Sequence, residues 1–126
     1  MANMQYNKSA QVNVSYFITK NNSCPVMDFI ESIDNKKLRS KIINTIDLLE
    51  TCGHLLPYPY SKYLGHGLYE LRIKHGSMIA RIFYFYRKPD SVVLTNGFIK
   101  KTNKTPVNEL SRALQYKSQY KKGEPK

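Results

Sequence analysis

The spacing of apolar and polar residues along the chain predicts strands and helices in a simple order. Alternation with β-branched side chains indicates a first strand within residues 12–19. Helical spacing then predicts a short helix that begins at Pro25, because proline suits the first turn of a helix. A second helix is predicted from Asn35 to Thr51, where one apolar stripe runs until Gly53. The first half of the chain therefore predicts one strand and two helices.

Three more strands are predicted in the second half, at residues 68–74, 78–87 and 91–101. Because only short connections separate them, they are expected to form an antiparallel meander. The stretch before them, residues 54–63, contains two prolines and no sustained period, which indicates an ordered connector. Its tyrosines are expected either to pack onto the domain or to stack on bases.

A last helix is predicted where Thr105 can act as N-cap and Pro106 as the first helical residue. The order is then β-α-α-β-β-β-α. It predicts an α+β fold with a small, antiparallel or mixed four-stranded sheet, whose helices cover one face. Residues 1–11 are expected to be a flexible extension, residues 12–120 the folded domain and residues 121–126 a frayed basic tail.

The composition agrees with one small domain that has a strongly basic second half. The chain has 126 residues, 41% of them hydrophobic, which is enough for one core and short for two. Its formal net charge is +11, and residues 61–126 hold fourteen Lys and Arg against four Asp and Glu. Such an imbalance favours a polyanionic partner, namely nucleic acid, an anionic membrane surface or an acidic protein.

The sequence gives little support for a disulfide-rich, metal-binding, membrane or secreted protein. The two cysteines, Cys24 and Cys52, have neither disulfide-framework nor zinc-site spacing, and no histidine has metal-ligand spacing. No apolar run approaches the length of a membrane span, and the N-terminus has no signal-peptide pattern. We therefore expect a soluble, cytoplasmic protein without a metal or other cofactor.

One predicted hairpin places unusual charges together. A two-residue turn at residues 76–77, with glycine in its first position, sets a register in which Arg72 faces Arg81. Glu70 lies on the same face as both arginines. Because like charges directly across a strand pair are unfavourable, the pair needs an explanation. Either Glu70 bridges arginines that are splayed toward solvent, or the guanidinium groups clamp a phosphate.

A second basic feature follows the last predicted strand. Lys100, Lys101 and Lys104 precede the N-terminus of the last helix, whose free backbone N–H groups favour anions. A solvated basic loop is the alternative explanation. The two features together favour a site for a phosphodiester.

The residues at these two features resemble a known family. The stretches 69–72 (YELR), 81–83 (RIF) and 97–106 (GFIKKTNKTP) are similar to the RelE/HigB superfamily of bacterial toxins, in its phage-derived HigB-like subgroup. The resemblance covers residues 12–120, nearly the whole domain. It implies a RelE-like toxin of a type II toxin–antitoxin system, an endoribonuclease that cuts mRNA on the ribosome. It also implies a cognate helix-turn-helix antitoxin as partner.

The resemblance implies roles for individual residues. Arg72 and Arg81 match the basic sheet positions that hold the scissile phosphate, and Glu70 matches a position where some members have a catalytic carboxylate. Lys100 and Lys101 match the basic end of the fourth strand, which supplies phosphate contacts or a general acid. The chemistry requires no metal, since RNA supplies its own 2′-hydroxyl nucleophile.

Further residues are expected to bind RNA around that site. Lys74, Phe98, Lys104 and His66 are the candidates, with core packing as the alternative for Phe98. Members of the family often have a catalytic tyrosine or histidine near the start of the last helix. Residues 102–106 of this chain hold neither, which leaves the proton donor open.

Two other functions remain open at this point. The same basic face would suit a noncatalytic module that binds RNA or DNA. A degenerate toxin homologue that acts only through its antitoxin would also fit the sequence. Replacing Glu70, Arg72 or Arg81 separates an enzyme, which loses cleavage while it stays folded, from a binder, which loses only affinity.

Overall fold

A computed structural model describes residues 10–101 and 104–123 of the chain. Within these residues it contains five strands and three α-helices, with a one-turn 3₁₀ helix at Gly53–Leu55 after the second α-helix. The elements in chain order are β1 (Asn13–Tyr16), α1 (Pro25–Ser32), α2 (Lys36–Cys52), β2 (Ser61–Gly65), β3 (Leu68–His75), β4 (Met78–Lys88), β5 (Ser91–Ile99) and α3 (Val107–Gly123). The predicted α+β class is confirmed.

The strands form one mixed sheet in the order β1-β5-β4-β3-β2. β1 runs parallel to β5, and the other neighbours are antiparallel. The prediction of a four-stranded sheet is wrong, because Ser61–Gly65, inside and just beyond the predicted connector, forms the edge strand β2. Pro57 and Pro59 stand shortly before this strand and Gly65 ends it, so the strand is only five residues long, too short for a clear periodic pattern.

The hairpin of β3 and β4 has the predicted register. Arg72 pairs with Arg81, Glu70 with Phe83, and His75 with Met78, which leaves a two-residue turn. Gly76 adopts a φ of 60° in the first turn position, a conformation that glycine reaches without steric cost. The turn therefore fixes which side chains share a face of the sheet.

Both faces of the sheet are covered, each by its own helices. Residues of α1 and α2 form one apolar cluster with Leu71, Ile73 and Ile82 of the central strands. Phe83 and Phe85 point to the opposite face and pack with α3. The expectation that all helices cover one face is therefore wrong for α3. The physical reason lies in β4, whose residues 80–85 are all buried, as in a strand covered on both sides.

Two observations concern the predicted ends of the domain. Ala10 is buried, two residues before the predicted start of the domain at residue 12. α3 continues to Gly123 and includes Lys121 and Lys122, for which a frayed tail was predicted. The remaining parts of these predictions, at residues 1–9 and 124–126, lie outside the described residues. No helix in the described ranges has the length and apolar character required to cross a membrane.

Candidate phosphate-binding site

The candidate site lies on the α3 side of the sheet, where apolar residues give way to charged ones. Toward the β2–β3 turn this face is apolar, and Leu68 and Phe85 pack with α3 there. Toward the β3–β4 hairpin the same face presents Glu70, Arg72 and Arg81. The structure therefore brings together the three sheet residues that the sequence predicted. We refer to these residues, with Lys62 and Lys100, as the charged cluster.

Glu70 and Arg81 form a buried ion pair at the base of the charged cluster. Arg81 Nε lies 3.2 Å from Glu70 Oε1, and the two residues are 5% and 2% exposed. The angles at these two atoms do not give a hydrogen bond, and neither atom makes one with any other described residue. Arg81 Nη1 donates to the carbonyl of Ala80 at 3.2 Å. Burial lowers the pKa of Arg81, and the nearby carboxylate of Glu70 opposes that shift. Glu70 therefore neutralises one arginine of the facing pair.

Arg72 is the other arginine of the pair, and it is held differently. Its guanidinium carbon lies 5.0 Å from the centre of the exposed Tyr58 ring, a cation–π geometry. Its backbone N–H donates to the carbonyl of Tyr60 at 2.8 Å. Within residues 10–101 and 104–123 no carboxylate pairs with its side chain. Its guanidinium donors are therefore open to an anion. This favours the explanation in which the facing arginines bind a phosphate.

Lys100 and Lys62 bring the positive charge of two further segments to the cluster. Partial burial lowers the pKa of Lys100, and the positive charges of Arg81, Arg72 and Lys62 lower it further. Lys62 lies on β2 directly opposite Glu70 and is exposed. The sequence did not indicate Lys62, because residues 54–63 predict a connector there. Burial does not alternate along Ser61–Gly65, so periodicity gave no signal of the strand.

The other predicted lysines surround the cluster at greater distance. Lys74 is exposed on β3, two residues beyond Arg72 and on the same face. Lys101 and Lys104 are exposed on either side of residues 102–103, which lie outside the described residues. The predicted strand through Lys101 ends at Ile99. These three lysines extend the basic surface around the charged cluster.

Two of the predicted RNA-binding residues are not brought to the open surface of the cluster. Phe98 pairs with Arg81 in the sheet, but it is only 7% exposed and its ring centre lies 5.5 Å from that of Phe83. That packing leaves almost no ring surface for a base. His66 lies in the β2–β3 turn, six residues and therefore roughly 20 Å along the strand from Arg72. The cluster itself contains no histidine.

A cavity of about 330 Å³ opens beside the two arginines. It is lined by Arg72, Arg81, Lys74, Lys41 and Tyr60, among others. Cationic groups around an aromatic ring are the features that a nucleotide requires, since phosphate pairs with cations and bases stack on rings. The cavity, which Thr45 of α2 also lines, therefore offers an anion a place beside the guanidinium of Arg72.

The described part of the chain contains no cluster of side chains that could bind a metal ion. Among residues 10–101 and 104–123, no three His, Cys, Asp or Glu side chains lie close enough together to hold an ion. Cys24 and Cys52 are free thiols on α1's N-terminal side and at the end of α2.

The sequence was compared with protein families and with curated proteins. A family model described as phage-derived protein Gp49-like (DUF891) matches residues 28–118. The matched range runs from within α1 into α3 and contains every residue of the charged cluster. No curated protein matches the sequence.

Proposed function

This chain belongs to the phage-derived Gp49-like family, and we propose that it is the toxin of a type II toxin–antitoxin system. Its family is RelE/HigB-like, and its proposed activity is that of an endoribonuclease that cuts mRNA, with the ribosome as the place of cleavage. The proposed partners are mRNA and a helix-turn-helix antitoxin that neutralises the toxin. The sequence resemblance and the geometry of the charged cluster support this proposal.

One observation carries the proposal, namely that the two facing arginines differ in burial and in their partners. Arg81 is buried against Glu70, whereas Arg72 projects beside a cavity without a carboxylate partner in the described residues. Glu70 compensates the charge of Arg81, but the positive charges of Arg72 and Lys100 remain close to it. A phosphate beside Arg72 and Lys100 would compensate them. An RNA phosphodiester is therefore the ligand that the cluster fits best.

The proposed reaction is attack by the RNA 2′-hydroxyl on the adjacent phosphorus. Glu70 is the carboxylate of the cluster and accepts the hydroxyl proton, for which it must exchange part of its contact with Arg81 for the hydroxyl. Arg72 and Arg81 stabilise the negative charge that develops on the phosphate oxygens. The bond to the 5′-oxygen then breaks, which leaves a 2′,3′-cyclic phosphate.

The departing 5′-oxygen requires a proton, and Lys100 is the proposed donor. The lowered pKa of Lys100 brings an ammonium group closer to the range in which it can release a proton. Lys101, the next residue, is exposed and is proposed to contact phosphate. The absence of tyrosine and histidine in residues 102–106 of the sequence is the reason why a lysine takes this role.

Regulated expression in bacteria tests the proposal. Wild-type protein is expected to arrest growth, and Arg72→Ala to abolish the arrest, because it removes the open guanidinium and leaves the buried ion pair intact. Lys36→Ala is the matched control, since it removes an exposed cation from α2, on the other side of the sheet. Wild-type protein that accumulates in folded form without effect on growth or on translated mRNA would refute the proposal.

A second candidate function has one observation in its favour. Glu70 is almost completely buried and already paired, which suits a structural carboxylate in a noncatalytic RNA-binding module. Glu70→Gln distinguishes the two functions, since an enzyme would lose cleavage but retain RNA affinity, whereas a binding module would show no cleavage in either form. A degenerate toxin would show neither activity and would still bind its antitoxin.

A further inference from the structure

The carboxylates are unevenly divided between the two sides of the sheet. Five of the eight acidic residues in the described ranges lie in α1, α2 or the link between them. On the other side, Glu70 pairs with Arg81 and Glu109 pairs with Arg112. Both of these carboxylates are thus already neutralised. The α3 side of the molecule therefore carries a large unbalanced positive charge that extends beyond the charged cluster.

The end of α3 concentrates part of this charge. Lys117 and Lys121 lie one turn apart on the helix, and both line a surface depression together with Lys122, Leu114 and Ser118. We call the three lysines the α3 basic strip. None of them pairs with a carboxylate of the described residues. Lysines near a helix C-terminus are favoured by the helix dipole, but that dipole amounts to about half a charge. The strip therefore keeps most of its positive charge.

The strip is attached to the sheet at the β2–β3 turn. Lys117 Nζ donates to the carbonyl of His66 at 2.5 Å, and it lies 6.0 Å from the centre of the Phe85 ring. A Cβ atom on Gly67 would collide with the same ammonium group. Burial and the charge of Lys121 lower the pKa of Lys117. The turn therefore holds the first lysine of the strip in a fixed place on the α3 side of the sheet.

A short basic path connects the strip with the charged cluster. Gly67, beside the strip, and Arg72, in the cluster, are five residues apart on the chain, roughly 17 Å along a strand. Lys62 on β2 lies between them, opposite Glu70. A path of this length can accommodate several consecutive nucleotides of a single-stranded RNA.

We propose that RNA bound at the charged cluster continues over the β2–β3 turn and places its backbone phosphates on the α3 basic strip. This inference rests on the proposed function for the identity of the polyanion as RNA. An acidic protein would also be attracted to the strip, but Lys62 lies between the strip and a site that suits phosphate. The substrate is thus an RNA that extends several nucleotides beyond the scissile bond.

Binding of uncleavable RNA tests this inference apart from catalysis. Fully 2′-O-methylated oligonucleotides of about four and about sixteen nucleotides cover the range of single-strand site sizes, and they lack the attacking hydroxyl. Lys121→Ala/Lys122→Ala is expected to weaken binding of the long oligonucleotide and to leave the short one unchanged. The slope of log affinity against log salt should fall in magnitude by about 1.4, at about 0.7 per phosphate contact. Lys117 is retained, because it supports the turn.

Lys36→Ala/Lys37→Ala is the matched control, because it removes two exposed cations from the opposite side of the molecule. The control should keep the wild-type affinity and slope for the long oligonucleotide. Equal affinity of the strip variant and the wild type for long RNA would overturn the inference, as expected if the strip serves an acidic protein. Equal losses for both lengths would overturn it too. Wild-type protein that binds RNA through the strip but never cuts it would refute the proposed function alone.

Discussion

Glu70 and Arg81 are buried charges, and each compensates the charge of the other. Removing one partner of a buried pair leaves the other charge without compensation, whereas the intact pair itself contributes little to stability. The facing register of Arg72 and Arg81 followed from the glycine turn in the sequence. The division of their roles did not, because it depends on the burial of Arg81 with Glu70 and on Tyr58 reaching Arg72 from a segment distant in the chain.

Glu70→Ala is expected to destabilise the protein by about 3 kcal/mol, because it leaves the Arg81 guanidinium buried and unpaired. Urea unfolding followed by circular dichroism measures this change. Glu31→Ala, which removes an exposed carboxylate from α1, should change stability by no more than about 0.5 kcal/mol. The double variant Glu70→Ala/Arg81→Ala should lose less than the sum of the single losses. Strict additivity would show that the ion pair does not couple the two residues.

β2 is the element that the sequence did not reveal, and it connects the candidate site to the core. Ser61 lies at its start and shares a 2.5 Å hydrogen bond with the hydroxyl of Tyr84 on β4. Tyr84 belongs to the apolar cluster beneath α1 and α2. A five-residue edge strand obtains its stability from such contacts with neighbouring strands, which sequence periodicity does not report. The longer elements α2, β3 and β4 were predictable because their patterns extend over more residues.

The stability of the protein should fall in alkaline solution through Tyr84. Burial raises the pKa of Tyr84 from 10.0 to about 12. Since the folded state holds this proton more tightly than the unfolded state, its contribution is complete below pH 10 and is lost as the pH rises toward about 12. Tyr84→Phe should therefore show a shallower loss of stability over this range, measured by urea unfolding at several pH values. Tyr60→Phe is the control, and an unchanged slope for Tyr84→Phe would contradict the prediction.

The packing of α1 on β5 depends on the absence of a side chain at Gly97. A Cβ atom there would lie 2.5 Å from the Phe29 ring. Gly97→Ala is therefore expected to cost about 1–3 kcal/mol through overpacking, measured by thermal or urea unfolding. Gly123→Ala at the end of α3 is the control, since a Cβ there has no neighbour within 4 Å. Equal stability of the two variants would show that α1 does not approach β5 this closely.

At the scale of the whole molecule, the two faces of the sheet differ in charge. The side of α1 and α2 contains most of the carboxylates, and the side of α3 is basic. α3 covers only part of its face, and the uncovered part carries the charged cluster. The excess of cations in residues 61–126 was visible in the sequence. Its concentration on one side was not, since it requires α3 to lie opposite α1 and α2. The cavity of about 330 Å³ beside Arg72 and Arg81 is lined in addition by Lys41 and Thr45 of α2.

The chemical nature of the RNA ends provides the most direct measurement of the proposed activity. mRNA from a translating extract is treated with wild-type protein, Arg72→Ala or Lys36→Ala, and the new ends are identified. Wild-type and Lys36→Ala proteins should generate 2′,3′-cyclic phosphate and 5′-hydroxyl ends, since the 2′-hydroxyl is the nucleophile. Arg72→Ala should reduce them by about 100-fold or more. Ends that carry 5′-phosphate, or full cleavage by folded Arg72→Ala, would contradict cleavage by the charged cluster.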